Sequence, residues 1–177
     1  MELEDLPLKG AYLIKSKPSL DARGAFLKTY HKGMFEELGL PFDFQETYYS
    51  VSKKDVIRGM HFQTPPAEHQ KIVYVTDGEI LDILLDLRKN SSTYGKAITI
   101  KMNKLGSSIY IPKGFAHGFL TLSESATVVY NVSSVYSQEN DTGILWSSFG
   151  LDLPVISPVI SERDKTFPEL KNFTSPF

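Results

Sequence analysis

The chain has 177 residues, no cysteine, and 19 Lys and Arg against 21 Asp and Glu, for a formal charge of −2. That balance argues against a protein that binds nucleic acid by neutralising phosphates. The missing thiols exclude disulfides, thiolate metal centres and cysteine nucleophiles. The opening MELEDLPLKG lacks the basic start and apolar run of a signal peptide, and no apolar stretch approaches the roughly 20 residues that span a bilayer. A cytoplasmic protein with no membrane partner is expected.

In chain order, short apolar runs rich in β-branched and aromatic residues predict strands over residues 11–16, 46–52, 71–76, 79–87, 96–102, 107–111, 118–122 and 127–133. Residues 32–38 are the one predicted helix, stopped by Gly39 and Pro41. Asp77-Gly78 marks a hairpin because glycine accepts the positive φ that a tight turn demands. Lys104-Leu105-Gly106 and Pro112-Lys113-Gly114 punctuate the following runs in the same way. The proline-bearing tail from residue 155 is expected to wrap the surface. The pattern predicts an all-β jelly-roll barrel with short peripheral helices, in one domain over residues 1–177.

Three clusters carry candidate chemistry. Arg58-Gly59-Met60-His61-Phe62-Gln63 places an Arg and a His where both can enter one pocket, although a surface or core polar role fits the spacing as well. Gly106, five residues, Pro112-x-Gly114, two residues and His117 match the second sequence motif of the cupin barrels, in which the turn aims the His inward. Many cupins bind metal through a His-x-His pair, but here the pair is His61-x-Gln63. His61, Glu68 and His117 alone make a weak ligand set, so no metal is expected, and acid–base work is the better role for an unmetallated His. The third cluster, Ile160-Ser161-Glu162-Arg163-Asp164-Lys165, is an ordinary charged turn unless its Asp returns to orient a His. His31 and His69 carry no assignment.

The segments 58–63, Gly78-Glu79-Ile80-Leu81-Asp82, Asp86-Leu87-Arg88, Ser92-Thr93-Tyr94-Gly95 and Ile111 to Phe119, with Asp21-Ala22-Arg23-Gly24-Ala25-Phe26 and Ser161-Glu162-Arg163-Asp164, resemble the dTDP-4-dehydrorhamnose 3,5-epimerase family of metal-free cupins. The likeness runs from about residue 8 to residue 168. It implies a jelly-roll homodimer, free of cofactor, acting on nucleotide-linked 4-keto-6-deoxy sugars. It implies His61 as base in a dyad with Asp164, Lys71 beside the ketone, Tyr130 on the opposite face of the ring, and Arg58 and His117 in the same pocket. It also implies that Arg23 and Phe26 reach across the dimer to the nucleotide and that Tyr136 packs on its base.

The chemistry agrees with that casting. Removing the proton from C3 or C5 of a 4-keto sugar gives an enolate on the shared carbonyl. An imidazole oriented by a carboxylate suits the abstraction, an ammonium suits the oxyanion, and inversion needs an acid on the other face. Three positions depart from the family pattern: Lys28 stands for a Glu and, in the register anchored on Ser50, Glu46 for a Gln and Tyr48 for an Asn. A shift of one residue keeps Gln45-Glu46 as the family has them, and neutral drift at the rim is the other reading. Lys28 turns an acceptor into a donor and Glu46 is acceptor-only, which suits cytosine better than thymine, and Tyr48 fills space beside the sugar. A CDP-linked 3,6-dideoxy-4-hexulose 5-epimerase is therefore the alternative to a dTDP-linked substrate. A sugar 3,4-ketoisomerase, a non-catalytic nucleotide-sugar-binding cupin and a metal-dependent enzyme are the remaining rivals.

Overall fold

The computed structural model describes residues 1–177. The strands are β1 (Glu2–Asp5), β2 (Tyr12–Lys15), β3 (Ser19–Asp21), β4 (Gly24–Phe26), β5 (Glu46–Lys53), β6 (Ile57–Gln63), β7 (Lys71–Asp77), β8 (Glu79–Asp86), β9 (Ala97–Asn103), β10 (Ser107–Ile111), β11 (Phe115–Thr121), β12 (Ser125–Val132) and β13 (Asp141–Gly143). They make a six-stranded sheet in the order β1-β2-β10-β7-β12-β5, a five-stranded sheet in the order β13-β6-β11-β8-β9, and a separate β3–β4 hairpin. All the pairings are antiparallel. Two short helices, α1 (Lys32–Glu37) and α2 (Glu162–Lys165), lie outside the sheets. The fold is the all-β cupin jelly roll that the sequence predicts, and no helix is long and apolar enough to cross a membrane.

Period-2 alternation builds the interior. Val73 and Val75 of β7, Ile109 and Ile111 of β10 and Val128 and Tyr130 of β12 pack against Ile80 and Leu84 of β8 and Phe115 and Phe119 of β11. The outer face of each sheet is covered as well. Helix α1 brings Phe35, with Leu40 and Phe42, onto Ile14, Ile72 and Tyr110. The C-terminal tail lays Leu170, Phe173 and Phe177 over Met60, Phe62, Ile83 and Leu85, so it does wrap the barrel. Gly78 makes the β7–β8 turn at φ 76°, and a Cβ there would collide with the Ser125 carbonyl oxygen.

Most predicted strands agree with the structure to within two residues. The differences are informative. Strand β11 begins at Phe115 rather than 118, because pairing with β8 starts directly after the Pro112–Gly114 turn. Strand β6 is absent from the prediction altogether. It carries Arg58, Gly59, His61 and Gln63 where a strand pattern wants apolar residues, and its alternation breaks in the middle. Strands β1, β3, β4 and β13, of three or four residues, are too short to show a period.

Candidate active site

The break in β6 makes the site. His117 pairs with His61 and Phe119 pairs with Arg58, so Gly59 and Met60 together oppose Gly118. This is a β-bulge, with two residues facing one. Without it, Arg58 and His61, three residues apart, would point to opposite faces of the sheet; with it, both line one cavity. The bulge demands glycine on both strands. Gly59 sits at φ 128°, where a Cβ would lie 2.5 Å from the Cα of Gly118, and a Cβ on Gly118 would lie 2.6 Å from the Arg58 carbonyl oxygen.

From the facing sheet, alternate residues enter the same space. Glu46, Tyr48, Ser50 and Ser52 of β5 pair with Val132, Tyr130, Val128 and Ala126 of β12, and Val132 and Tyr130 pair in turn with Lys71 and Val73 of β7. The cleft has two lobes that share Tyr48, His61 and Lys71. The inner lobe, about 260 Å³, is also lined by Ser50, Arg58, His117 and Tyr130. The outer lobe, about 310 Å³, adds Glu46, Gln63, His69, Tyr136, Asp141 and Arg163.

His61 Nε2 lies 2.8 Å from Asp164 Oδ1, and the Gly59 amide donates to Asp164 Oδ2 at 3.1 Å. Asp164 sits in the first turn of α2, where Ser161 caps the helix by accepting from the Asp164 amide. Burial alone would raise the Asp164 carboxyl, but the hydrogen bonds from His61 and Gly59 hold it below its ordinary value. An ionised Asp164 accepts a hydrogen bond from Nε2–H, which leaves His61 Nδ1 as the nitrogen with the free lone pair.

Lys71 is buried and donates to the His61 carbonyl oxygen at 3.2 Å. Burial pushes its ammonium down to about 8, against opposing pulls from Asp141 and Asp82. Two of its three N–H groups are left for a ligand. Tyr130 is buried, its hydroxyl 3.4 Å from Ser50 Oγ, and burial raises it so that it stays protonated at neutral pH. His117 Nε2 bonds Asp82 Oδ2 at 2.8 Å inside the barrel, and burial lowers the His117 pKa.

Of the residues singled out in the sequence, His61, Lys71, Tyr130, Arg58, His117, Glu46, Tyr48 and Tyr136 line the cleft, and Asp164 stands behind His61. Arg23, Phe26 and Lys28 do not. Arg23 is exposed and paired with Asp21 at 2.5 Å, while Phe26 and Lys28 line a separate cavity with Met1, Lys17 and Met34. Glu46 accepts from the Tyr136 amide at 2.7 Å, so one carboxylate oxygen holds that loop. Gln63, which breaks the His-x-His pair, is a backbone latch that donates to Ala67 O at 2.7 Å and accepts from the Ser137 amide at 2.6 Å. No three His, Asp or Glu side chains converge as metal ligands.

Sequence reasoning missed Asp82, His69 and the ion pair of Arg163 with Asp141 at 2.6 Å. Arg163 had a signal, as the neighbour of Asp164 in a cluster already noted. Asp141 had none, because its strand is only three residues long.

The family profile described as dTDP-4-dehydrorhamnose 3,5-epimerase matches residues 5–172. The chain is 39% identical over 170 residues, 93% of it and 91% of the relative, to the dTDP-4-dehydrorhamnose 3,5-epimerase of Methanothermobacter thermautotrophicus. It is 32% identical to the dTDP-4-dehydrorhamnose 3-epimerase of Streptomyces niveus, over 93% of this chain and 82% of that one. The crystal structure of the Legionella pneumophila dTDP-6-deoxy-D-glucose-3,5-epimerase in complex with dTDP-4-keto-L-rhamnose superposes with a TM-score of 0.93 at 29% identity, over 98% of this chain and 94% of that one. The chain belongs to the dTDP-4-dehydrorhamnose 3,5-epimerase family.

Proposed function

We propose that this epimerase inverts C5, C3 or both of a nucleotide-diphosphate-linked 4-keto-6-deoxyhexose by proton transfer alone. The observation that supports the reading most is a single inner lobe holding a carboxylate-oriented imidazole, a buried ammonium and a protonated phenol. His61 Nδ1 takes the proton from the carbon beside the ketone, and the C–H electron pair moves into the carbonyl to give an enolate. Lys71 Nζ faces the developing oxyanion with its free N–H groups. The Tyr130 hydroxyl returns a proton to the opposite face of the same carbon, which inverts it. His61 then loses its proton to water and Tyr130 regains one, so the cycle needs no metal or cofactor.

The outer lobe suits the diphosphate and the base, with Tyr136 as the stacking ring and Arg163 as a cation at its wall. Arg23, Phe26 and Lys28 lie off their own cleft, and we assign them to the nucleotide of a second copy in a cytoplasmic homodimer. A dTDP-linked substrate is favoured, because the relatives carry dTDP names and one oxygen of Glu46 is held by the Tyr136 amide. NMR in deuterated water, with dTDP- and CDP-linked 4-keto-6-deoxyhexoses offered in parallel, tests the whole reading. Inversion with deuterium at C3 or C5, faster for the dTDP sugar and abolished by His61→Asn, is the expected result. Exchange that persists in His61→Asn removes the base. A ketone moved along the ring means a ketoisomerase, and binding without exchange means a non-catalytic cupin.

A further inference from the structure

Tyr130 is held from three sides. The ring of Tyr48, its direct cross-strand partner on β5, stacks on it at 4.9 Å between centroids and 19° between planes. The His117 ring meets it edge-on at 5.9 Å and 69°. Its hydroxyl lies 3.4 Å from Ser50 Oγ, one alternation further along the strand that carries Tyr48. His117 is itself fixed by Asp82. Of these three contacts, Tyr48 alone lies nearly parallel to the ring, and a change of tilt breaks that stack.

C3 and C5 lie on opposite sides of the ketone carbon. A base and an acid that serve both must either shift between them or have the sugar shift. A misplacement on the order of 1 Å costs about 10²-fold in rate, so an acid whose tilt is clamped serves one carbon well and the other poorly. Tyr48 supplies the ring that lies on Tyr130, and a side chain without a ring at this position would leave the stack unmade. We propose that Tyr48 is a positioning residue that fixes the tilt of Tyr130 and so restricts inversion to one of the two carbons flanking the ketone. This rests on the epimerase reading above. Its reach is selectivity rather than activity: Tyr48 transfers no proton and decides where the proton of Tyr130 is delivered.

The experiment follows deuterium-bearing, inverted centres by NMR on a dTDP-linked 4-keto-6-deoxyhexose in deuterated water, for the wild type, Tyr48→Phe and Tyr48→Ala. The wild type is expected to invert one carbon about 10²-fold faster than the other. Tyr48→Phe keeps the stack and the ratio, whereas Tyr48→Ala brings the two rates within about tenfold of each other. Tyr48 lies on an edge strand with its ring partly exposed, and a thermal melt of each variant confirms that it is folded. A merely structural Tyr48 lowers both rates together and leaves the ratio alone, which overturns the proposal, as does a wild type that inverts both carbons equally fast. A wild type that labels neither carbon overturns the epimerase reading instead.

Discussion

The cleft holds two His–carboxylate pairs with the same 2.8 Å bond and opposite electrostatic character. In the first, His61 is one-third exposed and Asp164 has both oxygens engaged, one by His61 and one by the Gly59 amide. In the second, His117 and Asp82 are 3% and 0% exposed, and Asp82 Oδ1 has no hydrogen-bond partner. Burial opposes charge in both carboxylates. It loses at Asp164, which is held below its ordinary value, and wins at Asp82, which is raised. Heavier burial of Asp82, together with the donors from Gly59 and Ser161 that only Asp164 has, separates a carboxylate held below its ordinary value, which can steady an imidazolium, from one driven towards neutrality. In the proposed mechanism the first pair moves the proton. The second holds a ring that lies at 69° to that of Tyr130.

The sharpest way to break this contrast is to make the same substitution in both pairs. Asparagine offers a single acceptor oxygen. At position 164 two donors compete for it, so Asp164→Asn is expected to lower kcat/KM about 10²–10⁴-fold and to cost about 1–3 kcal/mol of stability through the group left unpaired. At position 82 only His117 Nε2 needs an acceptor, and the amide replaces an oxygen that had no partner. Asp82→Asn is therefore expected to keep kcat/KM within about tenfold of wild type. Steady-state kinetics and chemical denaturation of the two variants side by side decide the matter. Both variants leave a buried group unpaired and should lose stability, so it is equal losses of kcat/KM that would mean the two pairs do the same work.

Lys71 gives a smaller and more specific effect, because it lies between the pairs. It bonds the His61 carbonyl and is pulled on by Asp82. Lys71→Met is expected to lower kcat about 10²–10³-fold through loss of the oxyanion's cation. Since the wild-type ammonium titrates at about 8, kcat/KM should fall as pH rises through that value. The residual activity of Lys71→Arg should lack this limb, because guanidinium keeps its proton. An alkaline limb that survives the exchange belongs to some other group.

These contrasts also show which parts of the molecule were legible in the sequence. The long strands were readable because Ile72, Val73, Val75 and their counterparts in β8 and β12 alternate or run apolar as a sandwich interior requires. His61, Lys71, Tyr130 and Asp164 were named from motif resemblance, and their convergence could not have come from periodicity. The bulge at Gly59 and Met60 removes the period that would place Arg58 and His61, and Asp164 arrives from 103 positions away on a four-residue helix. Asp82 was hidden for a different reason. Inside the run Glu79-Ile80-Leu81-Asp82-Ile83-Leu84 it breaks the apolar pattern, but only the diagonal approach of His117 from β11 shows what it is for. Gln63 was legible only as the loss of a ligand, although its amide holds two loops at the mouth of the cleft.

The weakest expected effect extends the contrast to a third histidine. His69 lines the outer lobe with Nδ1 3.1 Å from Ser134 Oγ and Nε2 buried without a partner. Burial and the neighbouring Lys71 push it from 6.5 down to about 3. Between those values the unfolded chain binds a proton that the folded chain refuses, so folding stability falls as pH drops below 6.5. His117, also lowered by burial, acts in the same direction. Each such histidine contributes a slope of at most about 1.4 kcal/mol per pH unit. Denaturation of wild type and His69→Gln from neutrality down to about pH 5, above the range where free carboxylates titrate, should show the variant losing stability less steeply. Parallel curves would mean that His69 takes up its proton in the folded state, and that the outer lobe carries one more positive charge toward a diphosphate in acid than at neutral pH.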